Sequence, residues 1–199
     1  MARRPRIPAE LTKRPFSLQE ARAAGVSRRA LAGRSWRRIG TELYCWRGLE
    51  YNNWHLLVAW RSQLPPGAVF AGLTAAWLHR LDVDPCHPIE VIASGVKSRP
   101  GLCVRSCSIR DITIVRGLRA TTPARTFGDL RRRLPDLELL ILADQALRLN
   151  LGRFHELAEP AESPMETRLR WSLIRADLPR PKVQANIHDA NGRFIGRAD

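Results

Sequence analysis

Proline and glycine divide this chain more sharply than any other feature. Pro65-Pro66-Gly67 marks a linker or sharp turn, Asn150 to Pro160 breaks up a helical stretch, and Pro179 and Pro181 end another. Proline inside a helix removes a donor and costs about 3 kcal/mol, so regular elements stop at such points. Three segments result: 1–65, 66–160 and 161–199. A chain of 199 residues holds one large domain or two or three small ones, and a hydrophobic content of 44% is enough for a core. No apolar run approaches the ~18 residues of a membrane-spanning helix. Met1 to Glu10 is basic and lacks the apolar stretch of a secretory signal, so a cytoplasmic protein is expected.

Periodicity predicts an α+β chain. In the first segment Ser17 and Glu20 read as a capping box opening a helix whose apolar stripe is Leu18, Ala21 and Ala24. Gly25-Val26 breaks it, and Ser27 caps a second helix, "SRRALAGR", ending near Gly33. "WRRIGTELYCW" alternates around a Gly40-Thr41 turn and reads as a two-stranded ribbon, followed by a helix from Tyr51 to Leu64. The middle segment is mixed. "AGLTAAWLHRL" reads as a short helix; "IEVIA", "CVRSC" and "ITIV" read as strands. Thr122-Pro123 opens a further helix, and "DLELLILADQALRL" is apolar over a wide helical face. In the last segment Met165, Leu169, Leu173 and Ala176 fall near helical spacing, and "KVQANIHD" pairs through Asn191-Gly192 with a closing strand.

Charge points to a partner. Net +14 and a pI near 11.2 imply an anionic surface to bind. The excess is uneven: residues 1–48 hold 12 basic and 3 acidic residues. Only Lys13, Lys97 and Lys182 are lysine, a bias that a GC-rich genome explains as well as arginine chemistry does. The asymmetry has no such explanation. A helix-turn-helix needs a small residue where its helices cross and a glycine at the turn, which Ala21 and Gly25 supply. Leu31 would anchor the second helix inward, leaving Ser27, Arg28, Arg29 and Ala32 outward to meet a major groove. Arg28 and Arg29 suit guanine or phosphate, with Arg34 following, and the ribbon carrying Arg37 and Arg38 would be a wing on the backbone. A helical hairpin with a solvated basic face accounts for the same residues.

Other polar residues are less specific. Cys45, Cys86, Cys103 and Cys107 form no C-x-x-C pair, and Cys86-His87 fits no common zinc spacing, so packed thiols are expected. Thr74, Trp77 and His79 read as core packing with one exposed histidine. Thr122, Arg125, Thr126 and Asp129 read as a polar site or as a capped helix with an Arg–Asp pair one turn apart. Asp144, in an apolar helix, is expected to bond a neighbour.

"FSLQEARAAGVSRRALAGRSWRRIGTELYCW", "FAGLTAAWLHRL", "TTPARTFGDL" and "ADQALR" occur in an order that resembles AbiEi-type antitoxin-like proteins of actinobacteria, over about residues 15–150. The resemblance implies an N-terminal winged helix-turn-helix (1–65) that binds operator DNA and represses its own operon. It also implies a mixed α/β middle domain (66–160) that helps counter a nucleotidyltransferase toxin, a type IV (abortive infection) toxin-antitoxin arrangement.

"SPMETRLRWSLIRADLPRPKVQANIHDANGRFIGRAD" is similar to the opening of very-short-patch-repair endonucleases, a restriction-endonuclease-like fold. By that resemblance, residues 161–199 would be an incomplete helix plus β-hairpin, with Glu166 and Asp199 as catalytic acids and Mg2+ ligands in a completed domain. Ser163-Pro164-Met165-Glu166 is also a complete capping box, which accounts for Glu166 alone. One helix and one hairpin do not make a nuclease core, so this chain is expected to hold no metal and not to cut. Three readings follow: a duplex-DNA-binding regulator or antitoxin, a DNA-targeted metal-dependent endonuclease in a longer form, and a protein-binding antitoxin.

Overall fold

A computed structural model describes residues 7–86, 88–182 and 184–198, and backbone only at Ala198. His87 and Asp199, considered above as site residues, lie outside the described residues. The fold is α+β, with six α-helices and ten strands among the described residues. No helix among them is long and apolar enough to cross a membrane.

The first unit begins with a 3-10 helix, Ala9–Thr12, then β1 (Phe16–Ser17) and α1 (Leu18–Ala23). The capping box is present: Ser17 Oγ accepts from the Glu20 N–H at 3.1 Å, and the Glu20 carboxylate accepts from the Ser17 N–H at 2.7 Å. The helix closes on Gly25 at φ 77°, where the Val26 N–H bonds Ala21 O and the Gly25 N–H bonds Arg22 O. The second helix expected from Ser27 is instead a 3-10 helix of three residues, Ala30–Ala32. One buried anchor, Leu31, does not offset the cost of nucleating a longer helix, and the chain turns extended at Gly33. β2 (Trp36–Gly40) and β3 (Leu43–Trp46) follow, in a sheet of order β1-β3-β2. The ribbon turn lies at Thr41-Glu42 rather than Gly40-Thr41. Gly40 belongs to β2 after a register shift, and Glu42 takes the positive φ, 58°. Phe16, Leu18, Ala21, Val26, Leu31, Trp36 and Tyr44 form this unit's core.

α2 (Asn53–Arg61) is shorter than the predicted span, capped by Asn52 and His55. Its buried face does not join the first core. Leu57, Ala59 and Trp60, with Leu43, pack in one cluster with Phe70, Ile89, Val91, Leu102 and Ala120 of the next sheet. That sheet has order β6-β5-β4-β8-β7, built from β4 (Val69–Phe70), β5 (Ile89–Ile92), β6 (Leu102–Arg105), β7 (Ile112–Val115) and β8 (Leu118–Thr121). β4–β8 and β5–β6 are parallel; β4–β5 and β7–β8 are antiparallel. The sequence reading had no counterpart for β1, β4 or β8. α3 (Gly72–Leu78) lies between the sheet and a helical layer of α4 (Pro123–Leu130) and α5 (Asp136–Arg148). His79 is buried, not exposed: its Nε2 lies 2.7 Å from the Thr121 carbonyl, which gives the ring a partner inside the core.

α6 (Pro164–Arg175) packs on α5 through an inverted face. Its apolar Met165 and Leu169 are 70% and 57% exposed, while Thr167 and Arg170 are buried. Thr167 Oγ1 and Arg170 Nη2 both donate to Asp144 Oδ2 at 2.6 Å, and Asp144 Oδ1 accepts from the Glu159 N–H at 2.8 Å. A buried carboxylate thus joins Trp171, which packs on the α5 core cluster, in holding α6. β9 (Ala185–His188) and β10 (Phe194–Ala198) form a separate antiparallel pair around the Asn191-Gly192 turn, with a bulge between Phe194 and Gly196.

Candidate functional site

The residues singled out in the first unit, Ser27 and the basic Arg28, Arg29, Arg34, Arg37 and Arg38, are all exposed. Ser27 Oγ accepts from the Ala30 N–H at 3.2 Å and so braces the turn, but the N-cap of the 3-10 helix is Arg29, which makes no side-chain cap bond, rather than Ser27. Arg28 and Arg29 form the turn entering that 3-10 helix. Buried Leu31 tethers the turn to α1 through the first core.

β2 carries Arg37 and Arg38 opposite Cys45 and Tyr44. Arg37 lies 5.3 Å from the Tyr51 ring centroid, and the neighbouring Cys45 sulfur favours its charged form. Arg38 Nε donates to its own strand's Gly40 carbonyl at 3.1 Å. Arg47, which the sequence reading passed over, joins the turn to the hairpin. Its Nε donates to the Arg34 carbonyl at 2.7 Å, and its N–H to the Ser35 carbonyl. Arg37, Arg47 and Tyr51 line one open cavity of about 560 Å³ with 48–50. No signal in the sequence separates Arg47 from the other arginines; only the fold brings it to Arg34.

The positive charge of this face is not neutralised locally. Among the described residues, none of Arg28, Arg29, Arg34, Arg37 and Arg38 forms an ion pair with a carboxylate. The nearby acid Glu20 is taken by Arg14 at 2.6 Å. Elsewhere Arg105, Arg125, Arg133, Arg168, Arg170, Arg180 and Arg197 each meet a carboxylate.

The hairpin is held against the middle sheet by Trp60, which is fully buried. A Cβ on Gly40 would lie 3.1 Å from the Trp60 ring, and Gly101 approaches the same ring from the β5–β6 connection. Arg99 stacks over Trp60 at 5.2 Å and donates to Gln63, whose own amide donates to the Glu42 carbonyl beside the hairpin turn. Position and angle of the hairpin are therefore set by the middle sheet.

No family model matches the chain, and no curated protein matches it.

The second candidate site gathers differently from the prediction. Ser163 Oγ accepts from the Glu166 N–H at 3.2 Å, as a cap should. The Glu166 carboxylate reaches past Ser163 to the Glu162 N–H at 3.2 Å and takes the Gln184 amide at 2.8 Å. Burial pushes its pKa up, but the hydrogen bonds from Ser163, Gln184 and Glu162 outweigh that and leave it below the usual carboxylate value. Glu166 is thus an ionised cap joining α6 to the hairpin. Among the described residues no group of three or more His, Cys, Asp and Glu side chains is placed to hold a metal ion. Asp199, its expected companion, lies outside the described residues.

The Thr122–Asp129 group resolves into internal contacts. Thr122 caps α4, Thr126 bonds Thr121 at 2.7 Å, and Arg125 Nε donates to Asp129 at 3.1 Å. Asp129 leads to Arg105, which with Arg133 and the Leu73 N–H holds the buried Glu90 carboxylate. A buried charge with this many donors is a structural ion network, whose hydrogen bonds and opposite charges offset the cost of desolvating it.

Proposed function

We propose that this protein is a duplex-DNA-binding regulator of the antitoxin type, a winged helix-turn-helix protein in which the 27–32 turn enters the major groove. The β2–β3 hairpin would then be the wing on the phosphate backbone. One observation carries the reading: five exposed arginines, Arg28, Arg29, Arg34, Arg37 and Arg38, are gathered on one turn and hairpin and none of them meets a carboxylate among the described residues. Unpaired, solvated guanidinium groups are what phosphate contact requires, because each neutralised phosphate releases a counterion. The fixed hairpin supports the same reading, since a wing set rigidly beside a recognition turn loses little entropy on docking.

The 3-10 geometry narrows the base contact. A turn of this length offers its entering residues, Arg28 and Arg29, rather than a long helical face, so the footprint on base edges is small. Selection of bound duplexes from a random pool tests the proposal, read by anisotropy across salt. A preferred sequence whose affinity falls steeply with salt supports it; no duplex binding at low salt rejects it.

A type IV toxin-antitoxin role, with a nucleotidyltransferase-type toxin as partner, rests on the sequence resemblance. Co-purification with a toxin encoded beside the gene tests it. The endonuclease reading is favoured by one feature, the ionised Glu166 at the start of α6 facing the hairpin. Mg2+-dependent cleavage of duplex DNA that is lost in Glu166→Gln would support it.

A further inference from the structure

Two arginines outside the basic face hold backbone conformations that suit other residues better. Arg80 follows α3 at φ 73°. Its N–H bonds the Trp77 carbonyl at 2.8 Å and the Leu81 N–H bonds the Ala76 carbonyl at 3.1 Å, a helix end whose left-handed position normally holds glycine. Arg116 opens the two-residue turn between β7 and β8 at φ 51°, followed by Gly117 at 82°, where asparagine or aspartate is the usual first residue. Left-handed backbone at a non-glycine residue is strain that persists where something else requires the side chain.

The two side chains meet at one place. Arg80 and Arg116 line a cavity of about 580 Å³ with Trp77, Leu78, Leu81 and Asp82. Leu78 and Leu81 are buried and form its apolar wall, and Trp77 is half-buried. Arg116 is oriented by the Trp54 ring, 4.0 Å from its guanidinium carbon. Asp82 is held at the rim because its N–H donates to Gln145 Oε1 at 2.8 Å. Among the described residues neither arginine forms an ion pair or a side-chain hydrogen bond.

We propose that this cavity binds a nucleoside phosphate. Two guanidinium groups without carboxylate partners supply donors for a phosphate. The exposed part of Trp77 offers a face on which a base stacks, a contact that tolerates any base because each has a π-face. Asp82 is an acceptor for a ribose hydroxyl. The volume falls within the range of small-ligand sites and is far larger than a bare oxyanion needs. The site is separate from the turn and hairpin, so it stands or falls independently of DNA binding there.

Calorimetry on the full chain tests the proposal, titrating nucleoside mono- and triphosphates of the four bases, a short single-stranded oligonucleotide and inorganic phosphate. At least one free nucleoside phosphate or the oligonucleotide is expected to bind saturably, and the tighter of the two names the source of the nucleotide. Arg80→Gly is expected to weaken binding tenfold or more while melting no lower than wild type, because glycine suits that backbone position; Arg80→Lys retains part of the affinity. No binding by any nucleotide, equal binding of inorganic phosphate, or unchanged affinity in Arg80→Gly overturns it.

Discussion

Arg170 is 2% exposed, and its Nε and Nη1 find no hydrogen-bond partner among the described residues. Its charge is balanced by Asp144, itself 1% exposed, through Nη2 at 2.6 Å. Removing one member of such a pair leaves the other buried and uncompensated, at a cost of about 3–5 kcal/mol. Asp144→Ala is therefore expected to destabilise the protein by about that amount in chemical denaturation. The double variant Asp144→Leu with Arg170→Met should recover most of it. A loss of under ~1 kcal/mol in the single variant would mean that α6 docks by other contacts. This residue shows how far a sequence can be read. An aspartate within "LILADQAL" must find a donor, and that much is legible locally. Its donors lie 15, 23 and 26 residues onward in the chain, and nothing local names them. His79 failed for the same reason in reverse: its burial depends on the Thr121 carbonyl, 42 residues away.

Elements capped by their own neighbours were legible, because the cap is a matter of three or four residues. Ser17 with Glu20, Thr122 with Pro123, and the Asn191-Gly192 turn all appear where the sequence placed them. Elements created by packing were not. β4 is two residues long and exists because β5 and β8 flank it, and the 27–34 stretch shortens because only Leu31 is buried. Two predictions belong to this scale. Burial raises the Glu20 pKa, but the Ser17 N–H, Arg14 and the Ser17 hydroxyl outweigh it and bring the value below the ordinary 4.5. A depressed folded-state value means that this cap's contribution is full above the unfolded pKa and is lost as pH falls through the folded one. Melting temperature followed from neutral to acid pH should thus fall more steeply in wild type than in Glu20→Gln; equal slopes would deny the linkage. The second concerns Gly72, which starts α3 at φ 54° with its missing Cβ directed at the Glu90 carboxylate. Gly72→Ala meets both the strained φ and that contact, and should destabilise by about 1–3 kcal/mol in denaturant titration. A neutral result would mean that the Glu90 network shifts freely.

At the scale of the molecule, α2 ties the first unit to the second. The proline-glycine break at 65–67 follows α2, yet Leu57 and Trp60 of that helix belong to the core of the middle sheet. A fragment beginning at Pro66 loses these side chains from its core, where truncating a buried tryptophan alone costs about 3–5 kcal/mol. Residues 66–199 should lack the near-UV circular dichroism and cooperative melt of the whole chain; a fragment that folds normally would show the core to be self-sufficient. The same tie sets the hairpin beside the 27–32 turn, and the proposed function requires this composite face to bind duplex DNA through its arginines. The most direct test measures affinity for a selected duplex by anisotropy across salt in wild type, Arg28→Ala, Arg29→Ala and the Arg37→Ala/Arg38→Ala pair. Three phosphate contacts, from Arg34, Arg37 and Arg38, predict a log–log slope near −2.7, and five, if Arg28 and Arg29 also meet phosphate, a slope near −4.5, with the slope shallower by about 0.9 for each phosphate-contacting arginine removed. A variant arginine that reads a base instead should lose sequence preference at one position and keep the slope. Wild-type binding that ignores salt, or variants that bind as wild type does, would contradict the account.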